Sequence, residues 1–198
     1  MTTHQSEVRE QAPHERELAR GSRVVLRSKR LSDAPQDYAW RRDHDLARYD
    51  ASPPLRGSYP EFLAAYTEEL LHPPTYRRVV AVDDLIGQHI GNEMYYNIDL
   101  ARREAEVGIT IGEPAYWGRG YGSEAVELLI DHVFTNTSLT RLYLHTLDWN
   151  LRAQRSFARA GFRDCGRARR SGHFFHVMEV RREWRWREDY AGRAAQRR

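Results

Sequence analysis

Three glycines alternate with an arginine and a tyrosine in Gly118-Arg119-Gly120-Tyr121-Gly122, and a helical pattern begins at once. Glycine lets backbone N–H groups turn toward a ligand with no side chain in the way. The first N–H groups of a helix lack internal partners, and the helix dipole favours negative charge there. A glycine loop running into a helix therefore suits a phosphate or pyrophosphate. Arg119 adds a forked cation to the same loop. The loop lacks the Lys-Ser/Thr ending of a Walker loop, and its spacing differs from the dinucleotide fingerprint.

The elements that must position this loop flank it. Val107, Ile109 and Ile111 alternate with Glu106, Gly108 and Thr110, the two-residue period of a strand, which Pro114 ends. After the loop, Val126, Leu129, Ile130, Val133 and Phe134 fall on one helical face, with Glu124, Glu127 and Asp131 on the other. A second strand, Arg141 to Leu147, leads to Asn150, placed to cap a helix that Gly161 would close in the left-handed region, followed by Phe162.

Strand, proline, aromatic, Trp117-Gly118-Arg119-Gly120-Tyr121-Gly122, apolar helix, and then Asn150 and Gly161-Phe162, together resemble the GNAT superfamily of acyl-CoA N-acyltransferases. The branch most similar is that of the ribosomal-protein N-terminal acetyltransferases. The resemblance covers roughly residues 23–185. It implies a GNAT fold of the α/β (α+β) class: a mixed, mostly antiparallel twisted sheet of about seven strands flanked by about four helices. It implies acetyl-CoA as co-substrate, held by Thr110, Ile111, Gly112, Trp117, Gly118, Arg119, Gly120, Tyr121, Gly122 and Ser123, with Asn150 on the pantetheine arm. Arg152, Arg155 and Arg159 form one stripe on the last helix; a plain solvated face is the first reading, and contact with the cofactor's 3′-phosphate, for which Arg155 is named, is the competing one. The implied reaction moves an acetyl group to a primary amine, either a protein N-terminal α-amine or a small amine or polyamine, by direct attack in a ternary complex.

That reaction needs positioning and removal of the amine proton. A lysine-like amine costs about 4.6 kcal/mol to neutralise at pH 7, an α-amine about 1 kcal/mol. Glu106 is the first candidate base, in the strand position where several GNAT enzymes carry a catalytic Glu; the competing reading is a solvated carboxylate paired with Arg102 or Arg103. His145 is the second candidate, as a strand histidine able to titrate near neutral pH, with a packing role as its competitor. His173 and His176 rank below it. The chain departs from the family at Phe157, where many members carry a Tyr acid, and at Ala153, where others carry Ser. Tyr143 or water then remains to protonate the thiolate. The missing hydroxyls also favour an alternative, a catalytically silent acyl-CoA-binding or sensing domain; thiol release from acetyl-CoA with an amine panel separates the two.

The remaining chain reads as one domain over 22–185, with a mobile segment at 1–21 and an arginine-rich tail at 186–198. Val24 to Leu26 is a strand. A helix starts at Ser32-Asp33 and runs to about Tyr49, breaking near Asp43. Ser58 caps a second helix that Pro73-Pro74 stops. In the resembled family these two helices and their loop wall the acceptor pocket, which places Trp40, Tyr49 and Tyr59 near it. Tyr76 to Val82 and Leu85 to Ile98 are strands joined by a tight turn at Asp83-Asp84. Phe162 to Arg169 and His173 to Val180 form a hairpin. No apolar run is long enough to span a bilayer, and the polar start does not read as a signal peptide. Cys165 is the only cysteine, which excludes an internal disulfide framework and fits the cytoplasm. No Cys/His cluster has metal spacing, so no metal is expected. Net charge is +3, with Lys29 the only lysine; without a stacking platform for bases, no nucleic-acid partner is expected. The expected assembly is a monomer or homodimer.

Overall fold

The computed structural model describes residues 16–185. Eight strands form one sheet: β1 (Glu17–Arg20), β2 (Val24–Ser28), β3 (Arg77–Asp84), β4 (His89–Asp99), β5 (Glu104–Ile111), β6 (Arg141–Leu147), β7 (Arg163–Arg170) and β8 (His173–Arg181), in the order β1-β2-β3-β4-β5-β6-β8-β7. Every neighbouring pair is antiparallel except β5 and β6. The helices are α1 (Ala34–Arg42), α2 (His44–Tyr49), α3 (Tyr59–Leu71), α4 (Tyr121–Asn136) and α5 (Leu151–Arg159), with 3-10 turns at Leu31–Asp33 and Pro114–Tyr116.

The apolar face of α4 is buried as its spacing dictates, through Val126, Leu129, Ile130, Val133 and Phe134. It packs with Val24 and Leu26 of β2, Val80 and Val82 of β3, and Leu142 and Leu144 of β6 in one core. The helix beginning near Ser32 does break at Asp43, whose carboxylate caps α2 by accepting from Asp45 N and Leu46 N. Ser58 and Glu61 form a capping box at α3.

Two expectations are corrected. Residues 17–20, expected to be mobile, form β1 paired with β2; positions 1–15, like 186–198, lie outside the described residues. The fold is the expected mixed, mostly antiparallel sheet flanked by helices, with eight strands where about seven are expected. Asp83 and Asp84 belong to β3, and the turn falls at 85–88, with Gly87 at φ +85. Asp83 is held in the strand by Arg27 (2.6 Å), while Asp84 accepts from Ile86 N and Gln88 N and so builds the turn from its first corner.

On the sheet face opposite α4, a buried ionic cluster fixes α1. Arg27 bonds Asp33 at 2.8 Å and Asp83 at 2.6 Å; Lys29 reaches Asp37 of α1 at 2.7 Å; His89 reaches Asp37 at 3.1 Å and Asp83 at 3.4 Å. Burial would raise Asp33, but the Arg27 fork and neighbouring cations hold it down at about 2. Burial likewise opposes charge on His89, but the Asp37 hydrogen bond and the Asp83 carboxylate outweigh it and raise its pKa. With His89 protonated the cluster carries three cations against three carboxylates.

Candidate active site

β5 and β6 pair over only three positions, Glu104↔Arg141, Ala105↔Leu142 and Glu106↔Tyr143. Beyond them β5 stays with β4 as far as Ile111↔Gly91, and β6 stays with β8 as far as Leu147↔Phe175. The parallel strands part, and a cavity of about 630 Å³ opens between them. Val107 to Ile111 line one wall, His145, Thr146 and Asn150 the other.

The glycine loop closes one end. Gly118 (φ +72) and Gly120 (φ +92) hold left-handed conformations, and Gly120 is the N-cap of α4 with no side chain capping the helix. The first N–H groups of α4 are thus left for a ligand. Glu124, in that first turn, is engaged elsewhere: it accepts from the backbone of Ser22 and Arg23. Gly122 also lines the cavity, where an added Cβ would make ordinary contact with Ile111 and Ser156 at 3.5 and 3.8 Å. Ser123 Oγ lies 2.9 Å from Ser156 Oγ. Asn150 Oδ1 caps α5 by accepting from Ala153 N at 3.2 Å, while its Nδ2 bonds no described residue.

Thr110, Ile111, Trp117, Gly118, Gly120, Gly122, Ser123, Asn150, Arg155 and His145 all line the cavity. Gly112, Arg119 and Tyr121 do not. Gly112 lies against the Trp40 indole, leaving no space for a Cβ; Arg119 turns back to donate to Ala115 O at 3.1 Å; Tyr121 packs edge-on to Tyr116. The cavity's cations come instead from the α5 stripe, since Arg152, Arg155 and Arg159 all line it, and from Arg41. Arg155 and Arg159 are exposed as well as lining the cavity, so the solvated-face reading stands for them, and Arg152 alone is half-buried. Of the three aromatics assigned to the acceptor wall, only Tyr49 lines the cavity; Trp40 donates to Glu113 at 3.2 Å and Tyr59 packs on Tyr38.

The two candidate bases form a pair. Glu106 does not touch the cavity: its side chain is 4% exposed, and Oε1 lies 2.7 Å from His145 Nδ1. The solvated-carboxylate reading of Glu106 fails, because Arg102 pairs with Glu104 at 3.0 Å and Arg103 donates to Ser138 O at 2.7 Å. Asn97 Nδ2 donates to Glu106 Oε2 at 3.1 Å, and Arg170 approaches Oε1 at 3.5 Å. Asn97 sits at φ +50 in an irregular stretch of β4, a conformation asparagine tolerates. Burial and the nearby Glu106 carboxylate push the Tyr96 hydroxyl above the ordinary tyrosine range. His145 lines the cavity, and its Nε2 has no partner among the described residues. Tyr143 does not line it, and lies under the Arg141 guanidinium. His176 is paired with Asp164 at 2.6 Å, and His173 packs on Phe175, both away from the cavity. Sequence reasoning missed Asn97, Tyr96 and Arg170. Among the described residues no group of three or more His, Cys, Asp or Glu is arranged to hold a metal ion.

Comparison with known proteins matches residues 23–163 to the acetyltransferase (GNAT) domain family. Over 53 residues the chain is 42% identical to an uncharacterized N-acetyltransferase p20 of Bacillus licheniformis, a match spanning 27% of this chain and 29% of that relative. The fold is similar to spermidine N-acetyltransferase of Vibrio cholerae in complex with CoA and spermine (TM-score 0.73, 22% identity, 82% of this chain and 98% of that one). It is also similar to aminoglycoside acetyltransferase AAC(6')-Ib with CoA and kanamycin (TM-score 0.68, 19% identity, 81% and 95%). With residues 23–163 matched, most of its length, the chain belongs to the acetyltransferase (GNAT) domain family.

Proposed function

We propose that this protein acetylates a primary amine by direct attack on acetyl-CoA, with His145 as the proton-handling group and Glu106 as its positioning partner. The observation that carries this reading is the 2.7 Å Nδ1–Oε1 contact on the cavity wall where β5 and β6 part. A carboxylate only accepts, so Nδ1 carries the hydrogen and Nε2 holds the lone pair. Nε2 then takes the amine proton as nitrogen attacks the thioester carbonyl. When the C–S bond breaks, the same imidazolium returns the proton to the thiolate. One group acting as base and then acid removes the need for a hydroxyl at Phe157 or Ala153.

The donor's place follows from the same wall. The unpaired edge of β5 from Val107 to Ile111 offers backbone partners to the pantetheine amides, Asn150 Nδ2 a further donor, and the uncapped start of α4 a pyrophosphate seat. Arg155 and Arg159 suit the remaining phosphate. For the acceptor, both a protein α-amine and a small amine or polyamine fit this chemistry; the similar structures hold spermine and kanamycin. Asp50 is the carboxylate on the cavity wall and favours a cationic small amine.

Gly122→Asp tests the site. Gly122 needs no left-handed backbone and lies in the first turn of α4, where a carboxylate suits the helix. The folded variant is expected to lose acetyl-CoA binding by calorimetry and all amine acetylation by mass spectrometry; unchanged affinity would refute the placement.

A further inference from the structure

Arg152 is held unlike its neighbours on the stripe. Its guanidinium carbon lies 3.9 Å from the centre of the Trp117 ring and 4.8 Å from that of Tyr49, and all three residues line the cavity. The two rings stand edge to face at 5.7 Å and 85°. They come from different elements, α2 and the glycine loop, so the cation bridges two walls. The rings are fixed without it. Trp117 Nε1 donates to Ile111 O at 2.7 Å, and Tyr49 packs on Trp149 at 5.5 Å. A pair of ring faces held this way is a general cation site, serving an ammonium as well as a guanidinium.

A second, independent feature points the same way. Asp50, next to Tyr49, lines the cavity, and its carboxylate has no hydrogen bond or ion pair among the described residues. It is exposed, so a cation arriving from solvent can meet it. A carboxylate so placed is improved by a cation brought in from outside.

We propose that Tyr49, Trp117 and Asp50 take a second cationic group of the acceptor, distant from the reacting amine, and that Arg152 occupies this seat as an internal stand-in. It rests on the acetyltransferase reading of the same cavity. The donor's phosphates bind one and two turns further along the α5 stripe and draw Arg152 out of the seat. The donor therefore binds first and creates the acceptor site, and the vacated seat selects diamines over monoamines by holding their second cation. Binding of the two substrates is thus coupled.

The test uses α,ω-diamines against n-alkylamines of matched length, with CoA as the donor probe. In the wild type, KM for the best diamine is expected to lie about tenfold below that of its matched monoamine, the size of one partly desolvated cation–ring contact. Calorimetry should show that diamine binds at least roughly tenfold more weakly without CoA than with it. Arg152→Met, which keeps an apolar stem, should bind the diamine without CoA as tightly as the wild type does with it. Tyr49→Leu should erase the preference for the diamine. Equal KM for diamine and monoamine at every length, in an enzyme that acetylates both, overturns the proposal and leaves the acetyltransferase reading intact. The same CoA dependence in Arg152→Met and wild type also overturns it. Failure of CoA to bind overturns both.

Discussion

Two of this sheet's histidine–carboxylate pairs, at His89 and at His145, differ in where each leaves a ring nitrogen unsatisfied. His89 is enclosed by Asp37, Asp83 and Lys29, with each ring nitrogen within 3.4 Å of a carboxylate. His145 is tied to Glu106 by Nδ1 alone, and the other nitrogen lies on the cavity wall with no described partner. The cluster is buried and lies off the cavity, so the one His89 nitrogen it leaves without a hydrogen bond, Nδ1, has nothing to offer a substrate. It fixes α1 to the sheet, and through Trp40, stacked on His89 and bonded to Glu113, it fixes the end of β5. A pair with one lone pair to spare can move a proton. The same residue types thus serve structure or chemistry according to where the spare nitrogen lies.

The contrast can be broken most forcefully at Arg27. Arg27→Met leaves Asp33 and Asp83 buried without their cation and should cost about 3–5 kcal/mol in chemical unfolding. Acetyl-CoA affinity of the folded fraction should be unchanged, and a loss of affinity with stability intact would place the cluster in the site. A smaller effect is expected at Asn150, whose spare Nδ2 parallels the spare nitrogen of His145. Asn150→Ala should weaken CoA binding by about 1–2 kcal/mol in calorimetry. No change would reduce Asn150 to its capping role. The mildest effect concerns pH. The folded protein raises the pKa of His89 above its ordinary value of 6.5, so its stabilisation is fully present below pH 6.5 and is lost as pH climbs through the raised value. The free energy of unfolding followed from pH 6 upward should show this decline, with a slope of at most about 1.4 kcal/mol per pH unit, and His89→Gln should remove it.

Much of the molecule was legible locally. The alternation from Glu106 to Ile111, the glycine loop and the α4 stripe specified strand, anion seat and core face from adjacent residues. Asn150 and Gly161 marked the ends of α5, and Gly161 sits at φ +97. What escaped depended on distant partners. Asp83-Asp84 has turn chemistry, but Arg27 and His89 keep Asp83 in the strand. β1 is four residues long, too short for a period to emerge. Glu106 and His145 were separate candidates because 39 positions divide them. Only the parallel register, which sets Tyr143 beside Glu106 and His145 two residues further on the same face, unites them. Arg119 looked like the loop's cation, yet a carbonyl one turn back captures it.

The most direct test of the central claim is a double-mutant cycle on Glu106 and His145, read in kcat/KM for one acceptor at neutral pH. If the two act as one proton-handling unit, His145→Gln and Glu106→Gln should each lower the rate by roughly 10²–10⁴-fold, and the double variant should fall no further than the worse single one. Losses that multiply would show two independent roles and contradict the account.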